Sequence, residues 1–153
     1  MSASDTFESD LLKLIFQNTN IANLGDATGV RGSAAAGSLY IALHTADPTD
    51  AAASGQNTNE ATYTGYARVA VVRSAVGFTI SGTSPTQVAN AAAVTFGACT
   101  AGSSTVTHFS FGRDVSGVGE ILCSGALTSP ASLAVTVGIT PSFAIGALVA
   151  TVD

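Results

Sequence analysis

The stretch Ser38–Asp50, SLYIALHTADPTD, decides how the rest of the chain reads. Leu39 to His44 is a short apolar run with no polar interruption, bounded by Gly37 on one side and an Asp-Pro step on the other. That pattern predicts a buried strand ending in a corner. His44 and Asp47 stand three residues apart at the handover from strand to loop, so a base and its orienting acid come to mind. Catalysis would also need a nucleophile or a metal, and the only other histidine is His108, with no acid at a helpful spacing. A turn explains the pair with less: Asp47 bonds to backbone amides while Pro48 fixes the next φ angle.

Working outward, the same grammar repeats toward the C-terminus. Runs rich in Val, Ile, Thr, Phe and Tyr lie near Leu39–His44, Tyr63–Arg73, Gly77–Ser81, Gln87–Phe96, Thr105–Phe111, Gly119–Leu127, Ser132–Val137 and Phe143–Val152. Gly, Pro, Asn, Asp or Ser separates them. No helical pattern falls between them to carry parallel crossovers, so they predict a mainly β domain, an antiparallel β-sandwich of jelly-roll-like character. In TVTHFSFGRD the alternation puts Phe109 and Phe111 toward a core and His108 and Ser110 away from it. The segment Thr45–Ala61 is of low complexity with no apparent buried anchor, and is expected to be a mobile surface loop able to reach a neighbouring subunit.

Only the N-terminal segment SDTFESDLLKLIFQN carries a helical period. Phe7, Leu11, Leu14 and Ile15 fall at i, i+4, i+7 and i+8, with Leu12 and Phe16 widening the stripe of one amphipathic α-helix. Ser4 or Asp5 can cap it, Asp5 and Glu8 have capping-box spacing, and Asn18, Asn20 and Gly25 end it. The chain therefore divides into a helix (1–25), a Gly- and Ala-rich connector (26–37) and a β-sandwich domain (38–153). A free helix of this length is marginal in water, so its stripe must be buried. Two partners compete for the six stripe residues, the chain's own sandwich and a neighbouring subunit or another protein; the connector, which lets the helix sit away from its sandwich, favours the second.

Composition narrows the function. Of 153 residues only 10 % are charged, against about 25 % in an average soluble domain, while 46 % are apolar. Much of the surface must be Ala, Gly, Ser and Thr, which costs little to desolvate and suits a life packed against other proteins. A net charge of −5, with four Arg and one Lys, excludes a surface that tracks nucleic-acid phosphates. No run approaches the roughly 20 apolar residues that span a bilayer, and the acidic start MSASDTFESD is unlike a secretory signal, so a cytosolic origin without membrane contact is expected. Cys99 and Cys123 lack metal-site spacing and are expected to be buried free thiols. A metal held by His44, His108 and Asp47 or Asp114 would need convergence from separate strands, and an anion-binding role for Arg113 in FGRD is open to a guanidinium but has no further support in the sequence. Phosphate loop, dinucleotide fingerprint and strained-elbow serine are all missing from the sequence, which predicts no enzyme and no cofactor.

Several segments together resemble a family of tailed-bacteriophage virion proteins, some described as tail fibre proteins and some as capsid cement, or decoration, proteins. They are LYIALHTADP, ATYTGYARVAV, NAAAVTF, TVTHF, ILCSGALT and ITPSFAIGALVATVD, preceded by the short helix with its FQNT ending. Their order and spacing carry the likeness, which covers most of the chain; the connector 26–37 is longer than the family's usual link. The resemblance implies a non-enzymatic sandwich behind a helix. The expected function is a cement protein on the capsid surface of the virion that binds the major capsid protein as a small homo-oligomer, a dimer or trimer. The alternative is a tail fibre or other tail component that recognises a host receptor, for which Tyr63 and Tyr66 are the only clustered aromatics and no shaft-forming repeat is present.

Overall fold

The computed structural model describes residues 3–49, 51–83 and 86–152; Asp50 and the outermost residues of the expected N-terminal and C-terminal units lie outside them. One helix, α1 (Asp5–Gln17), precedes eleven strands: β1 (Ser38–His44), β2 (Val69–Val72), β3 (Phe78–Ser81), β4 (Thr86–Asn90), β5 (Val94–Thr95), β6 (Ser104–Val106), β7 (His108–Gly112), β8 (Ile121–Ala126), β9 (Leu133–Val135), β10 (Ser142–Phe143) and β11 (Val149–Val152). Every pairing is antiparallel. The order β2-β1-β7-β8 makes one four-stranded sheet; β11-β4-β3, β10-β5 and β6-β9 make three smaller ones.

Eight expected runs became eleven strands because three of them break. Asn90 explains two of the breaks: its amide donates to Ala92 O and Ala144 O, and its Oδ1 accepts from Leu148 N–H, so one buried side chain ends β4 and ties down the loop before β11. The third break is at Thr107, whose N–H donates to His44 O and whose carbonyl accepts from Leu127 N–H, parting β6 from β7.

Leu39, Ile41 and Leu43 of β1 share a face with Phe109 and Phe111 of β7, as the register Ile41↔Phe111 and Leu43↔Phe109 requires. That face meets Phe78 of β3, Val88 of β4 and Ala150 of β11 in a single apolar core. The helix closes the same core. Phe16 is fully buried, with its ring edge-on to Phe78 at 5.2 Å and to Phe111 at 5.6 Å between centroids.

The helix face that docks is therefore Glu8, Leu12 and Phe16, with Ile15 packed beside it. This is turned from the stripe centre expected on Phe7, Leu11 and Leu14: Phe7 is 44 % exposed, and Leu11 and Leu14 are half-buried. Glu8 turns inward, its Oε2 accepting from the Thr86 hydroxyl at 3.1 Å, while Ser4 caps the helix through Phe7 N–H. A carboxylate at the N-terminal end of the docking face hides the period from a count of apolar residues.

Nor is the connector a loose tether. Ser33 N–H donates to Asn18 Oδ1 and Gly32 N–H to Asn20 Oδ1, while Ile21 and Val30 form a two-way bridge. Arg73, just past β2, then clasps the helix end and the connector. Its Nε and Nη2 donate to the helix-end carbonyls of Ile15 (2.6 Å) and Leu14 (2.8 Å), and its Nη1 to Ser33 Oγ and Ala36 O in the connector. A cation on the last carbonyls of a helix complements its dipole. The expected separation of helix and sandwich gives way to docking within the chain.

Candidate functional site

The second face of the four-stranded sheet carries the chain's concentrated polar chemistry. Alternation sends Tyr40, Ala42 and His44 of β1 and Ser110 and Gly112 of β7 to this side, and the register sets Ala42 opposite Ser110. An open sandwich would leave this face in water, yet His44 and Ser110 are fully buried. The cover is the described part of the loop 45–61, that is 45–49 and 51–61. It is anchored by Gln56, itself fully buried, and pairs through Gln56 N–H and Asn57 N–H with the carbonyls of Gly119 and Val118. A Cβ at Gly112 would collide with the Gln56 side-chain amide, so a larger residue there would have to displace that amide from its hydrogen bonds. The loop expected to be mobile and unanchored is thus a fixed lid on its own sheet.

Beneath the lid the hydrogen bonds run in one direction. Thr58 O can only accept, so His44 Nδ1 carries the proton toward it at 2.8 Å. His44 Nε2 then accepts from the Ser110 hydroxyl at 2.8 Å, and Ser110 Oγ accepts from Gln56 Nε2–H at 3.3 Å. Gln56 Nε2 also donates to Tyr40 O, and its Oε1 receives Arg68 Nη1 at 3.3 Å. Arg68 continues the network: Nε and Nη2 form a two-pronged pair with Glu60 at 2.7 and 2.8 Å, and the remaining donors reach Asp114 O and Gly117 O. Tyr66 OH donates to Glu60 Oε1 and accepts from Leu43 N–H, returning the network to β1. Among the described residues, no buried side-chain nitrogen or oxygen is left without a partner.

A serine hydroxyl on a histidine nitrogen is the geometry of a nucleophile and its base. Here both groups have no exposure, the histidine is oriented by a carbonyl rather than a carboxylate, and the lid seals them from any substrate. What the arrangement does chemically is hold a loop to a sheet. Burial pushes the Tyr66 phenol far up from its ordinary value, and the Glu60 hydrogen bond holds Arg68 still more firmly protonated.

Burial also depresses the His44 imidazole below its ordinary value of 6.5, outweighing the Thr58 bond and the Glu60 charge that act to raise it. Below that value the unfolded chain binds more protons at His44 than the folded one. The contribution of neutral His44 is therefore complete above about pH 6.5 and is lost as pH falls toward the lower folded value. Melting curves between about pH 8 and pH 5 should show this acid-side loss in the native chain and not in His44→Gln. Parallel pH profiles for the two chains would contradict the assignment.

The other residues singled out by sequence stand apart. Asp47 Oδ1 accepts from Thr49 N–H at 2.8 Å, the turn bond expected of it, and makes no bond to His44. His108 faces His44 across the ladder and bonds to Thr107 Oγ1. No three His, Cys, Asp or Glu side chains converge among the described residues. Arg113 pairs with Glu120 at 2.8 Å and Asp114 at 3.6 Å, both exposed. Cys99 is buried and Cys123 half-buried, both as free thiols, and burial pushes the Cys123 thiol up. Tyr63 and Tyr66 meet edge-on at 5.5 Å in the core and are not a surface aromatic platform. Of the stripe residues, Leu12 and Phe16 belong to the core, Ile15 packs against it, and Phe7, Leu11 and Leu14 form the outer shoulder.

Sequence reasoning missed Ser110, Gln56, Arg68 and Glu60. The one available signal was Arg68 and Glu60 themselves, two of only fifteen charged residues, within a chain that otherwise avoids charge.

No helix among the described residues is long and apolar enough to cross a membrane. No curated protein matches the chain. A family model does, over residues 2–151, and its description is Podophage GP4 fiber I protein gp80. With nearly the whole chain matched, the protein belongs to this family of podophage fibre proteins.

Proposed function

We propose that the chain is a structural component of a podophage tail fibre, a part of the virion that works by protein contact rather than by catalysis. The family match across residues 2–151 carries this reading, and it favours the tail-fibre alternative over the cement role expected from the sequence segments. The surface suits such contacts. Large aliphatic side chains stand out at loop tips, among them Val76, Val115, Val118, Val137 and Ile145. In a small homo-oligomer, a dimer or trimer, these tips and the helix shoulder of Phe7, Leu11 and Leu14 are the surfaces left for a neighbour.

One observation favours cement as the second reading: the described residues hold one 13-residue helix and short sheets, with no shaft-forming element. In that reading the partner is the major capsid protein. Gold-labelled antibody against the chain, applied to purified virions of its phage, separates the two. Label on the tail fibres is the expected result; label spread over the capsid would replace the fibre reading with cement.

A further inference from the structure

An open cleft of about 390 Å³ lies where the end of α1, the connector, the start of β1 and the end of β7 come together. The chain has five cationic side chains against ten acidic ones, and three of the five, Arg31, Arg73 and Arg113, line this cleft. No aspartate or glutamate lines it. Gathering most of the positive charge of an acidic protein in one carboxylate-free concavity is what an anion site requires, because concave walls focus the field of like charges.

The three arginines contribute differently. Arg73 holds four neutral acceptors, Ile15 O, Leu14 O, Ser33 Oγ and Ala36 O, and no carboxylate is among them. It covers the helix-end carbonyls that would otherwise repel an anion and still carries its full charge. Arg31 is exposed and takes part in no ion pair among the described residues. Arg113 shares its charge with Glu120 and Asp114, which lie outside the cleft lining. The hydroxyls of Ser33 and Ser38 add neutral donors at the wall.

We propose that this cleft binds a phosphate group, with Arg31 as the principal contact, Arg113 as a second, and Arg73 as the fixed charge behind them. Guanidinium groups present paired donors that match phosphate oxygens, and a cleft this open admits a phosphate borne on a larger molecule as readily as the free anion. The sources to be told apart are inorganic phosphate and phosphate carried on a cell-surface polysaccharide. The phosphate site rests on the cleft alone, while the choice of a polysaccharide as carrier rests on the fibre reading.

Calorimetric titration of the full chain with inorganic phosphate at low salt tests it. Saturable binding is expected, weakened about tenfold by Arg31→Gln, the loss of one charge-assisted contact, weakened in the same direction by Arg113→Gln, and unchanged by Lys13→Gln. Lys13 lines a different cleft, beside Asp5 and Asp10, and serves as the charge control. Parallel binding to phosphate-bearing lipopolysaccharide, before and after enzymatic dephosphorylation, separates the sources. Binding that needs both the phosphate and Arg31 assigns the carried group; Arg31-dependent binding of inorganic phosphate alone assigns the free anion. No saturable binding of either probe, or equal weakening by Lys13→Gln and Arg31→Gln, would overturn the proposal.

Discussion

Glu60→Ala is expected to destabilise the fold by about 3–5 kcal/mol, the range for removing one partner of a buried ion pair and stranding the other. Arg68 is the stranded group. Its side chain is 2 % exposed, that of Glu60 is 17 %, and among the described residues no second carboxylate pairs with the guanidinium. Tyr66 OH would lose its acceptor in the same change, leaving its half-buried proton without a partner while its oxygen still accepts from Leu43 N–H. Glu120→Ala is the control: its pair with Arg113 is exposed, with side chains 55 % and 64 % accessible, and such pairs contribute about 0–1 kcal/mol. Denaturant midpoints measure both. The lid should also open in Glu60→Ala, so protease cleavage within residues 45–61 is expected to rise with the loss of stability. A cost below about 1 kcal/mol would show that water reaches Arg68 and that the lid is not held by this pair.

Phe16→Ala carries the second large effect, again about 3–5 kcal/mol, because it leaves a cavity between α1 and both facing sheets. Its ring touches Phe78 from the smaller sheet and Phe111 from the larger, so one truncation loosens three elements. Phe7→Ala, nine residues earlier on the exposed shoulder, should stay within about 0.5 kcal/mol. Equal effects from the two changes would mean that the helix is not docked on its own sandwich.

The core half of this molecule was legible because it follows local periods. Leu39–His44 is apolar throughout, and both of its faces are in fact buried: one in the aromatic core, the other under the loop. The helix announced itself by its 3.6-residue spacing. Its docking face did not, because that face begins with Glu8, which finds a partner, Thr86, seventy-eight residues away.

The polar network was illegible for a related reason. Gln56 lies in a run of Ala, Ser, Gly, Asn and Thr that has no period, and what fixes it, Tyr40 O, Ser110 and Arg68, arrives from three separate segments. His44 drew notice as a possible base, but its true partner, Ser110, is sixty-six residues distant. Strand breaks at Asn90 and Thr107 were missed because each depends on hydrogen bonds to partners distant in the sequence, Ala144 and Leu148 for the Asn90 side chain, His44 and Leu127 for the Thr107 backbone. Long-range polar pairing leaves no periodic trace, whereas burial of apolar side chains does.

The chain belongs to a family of podophage fibre proteins, and the function proposed for it is assembly into the fibre. The most direct measurement of that claim is the number of copies per purified virion, by quantitative mass spectrometry against the major capsid protein as internal standard. A fibre component should be present in a few to a few dozen copies, following the symmetry of the tail. Hundreds of copies, in step with the capsid protein, would contradict the fibre account.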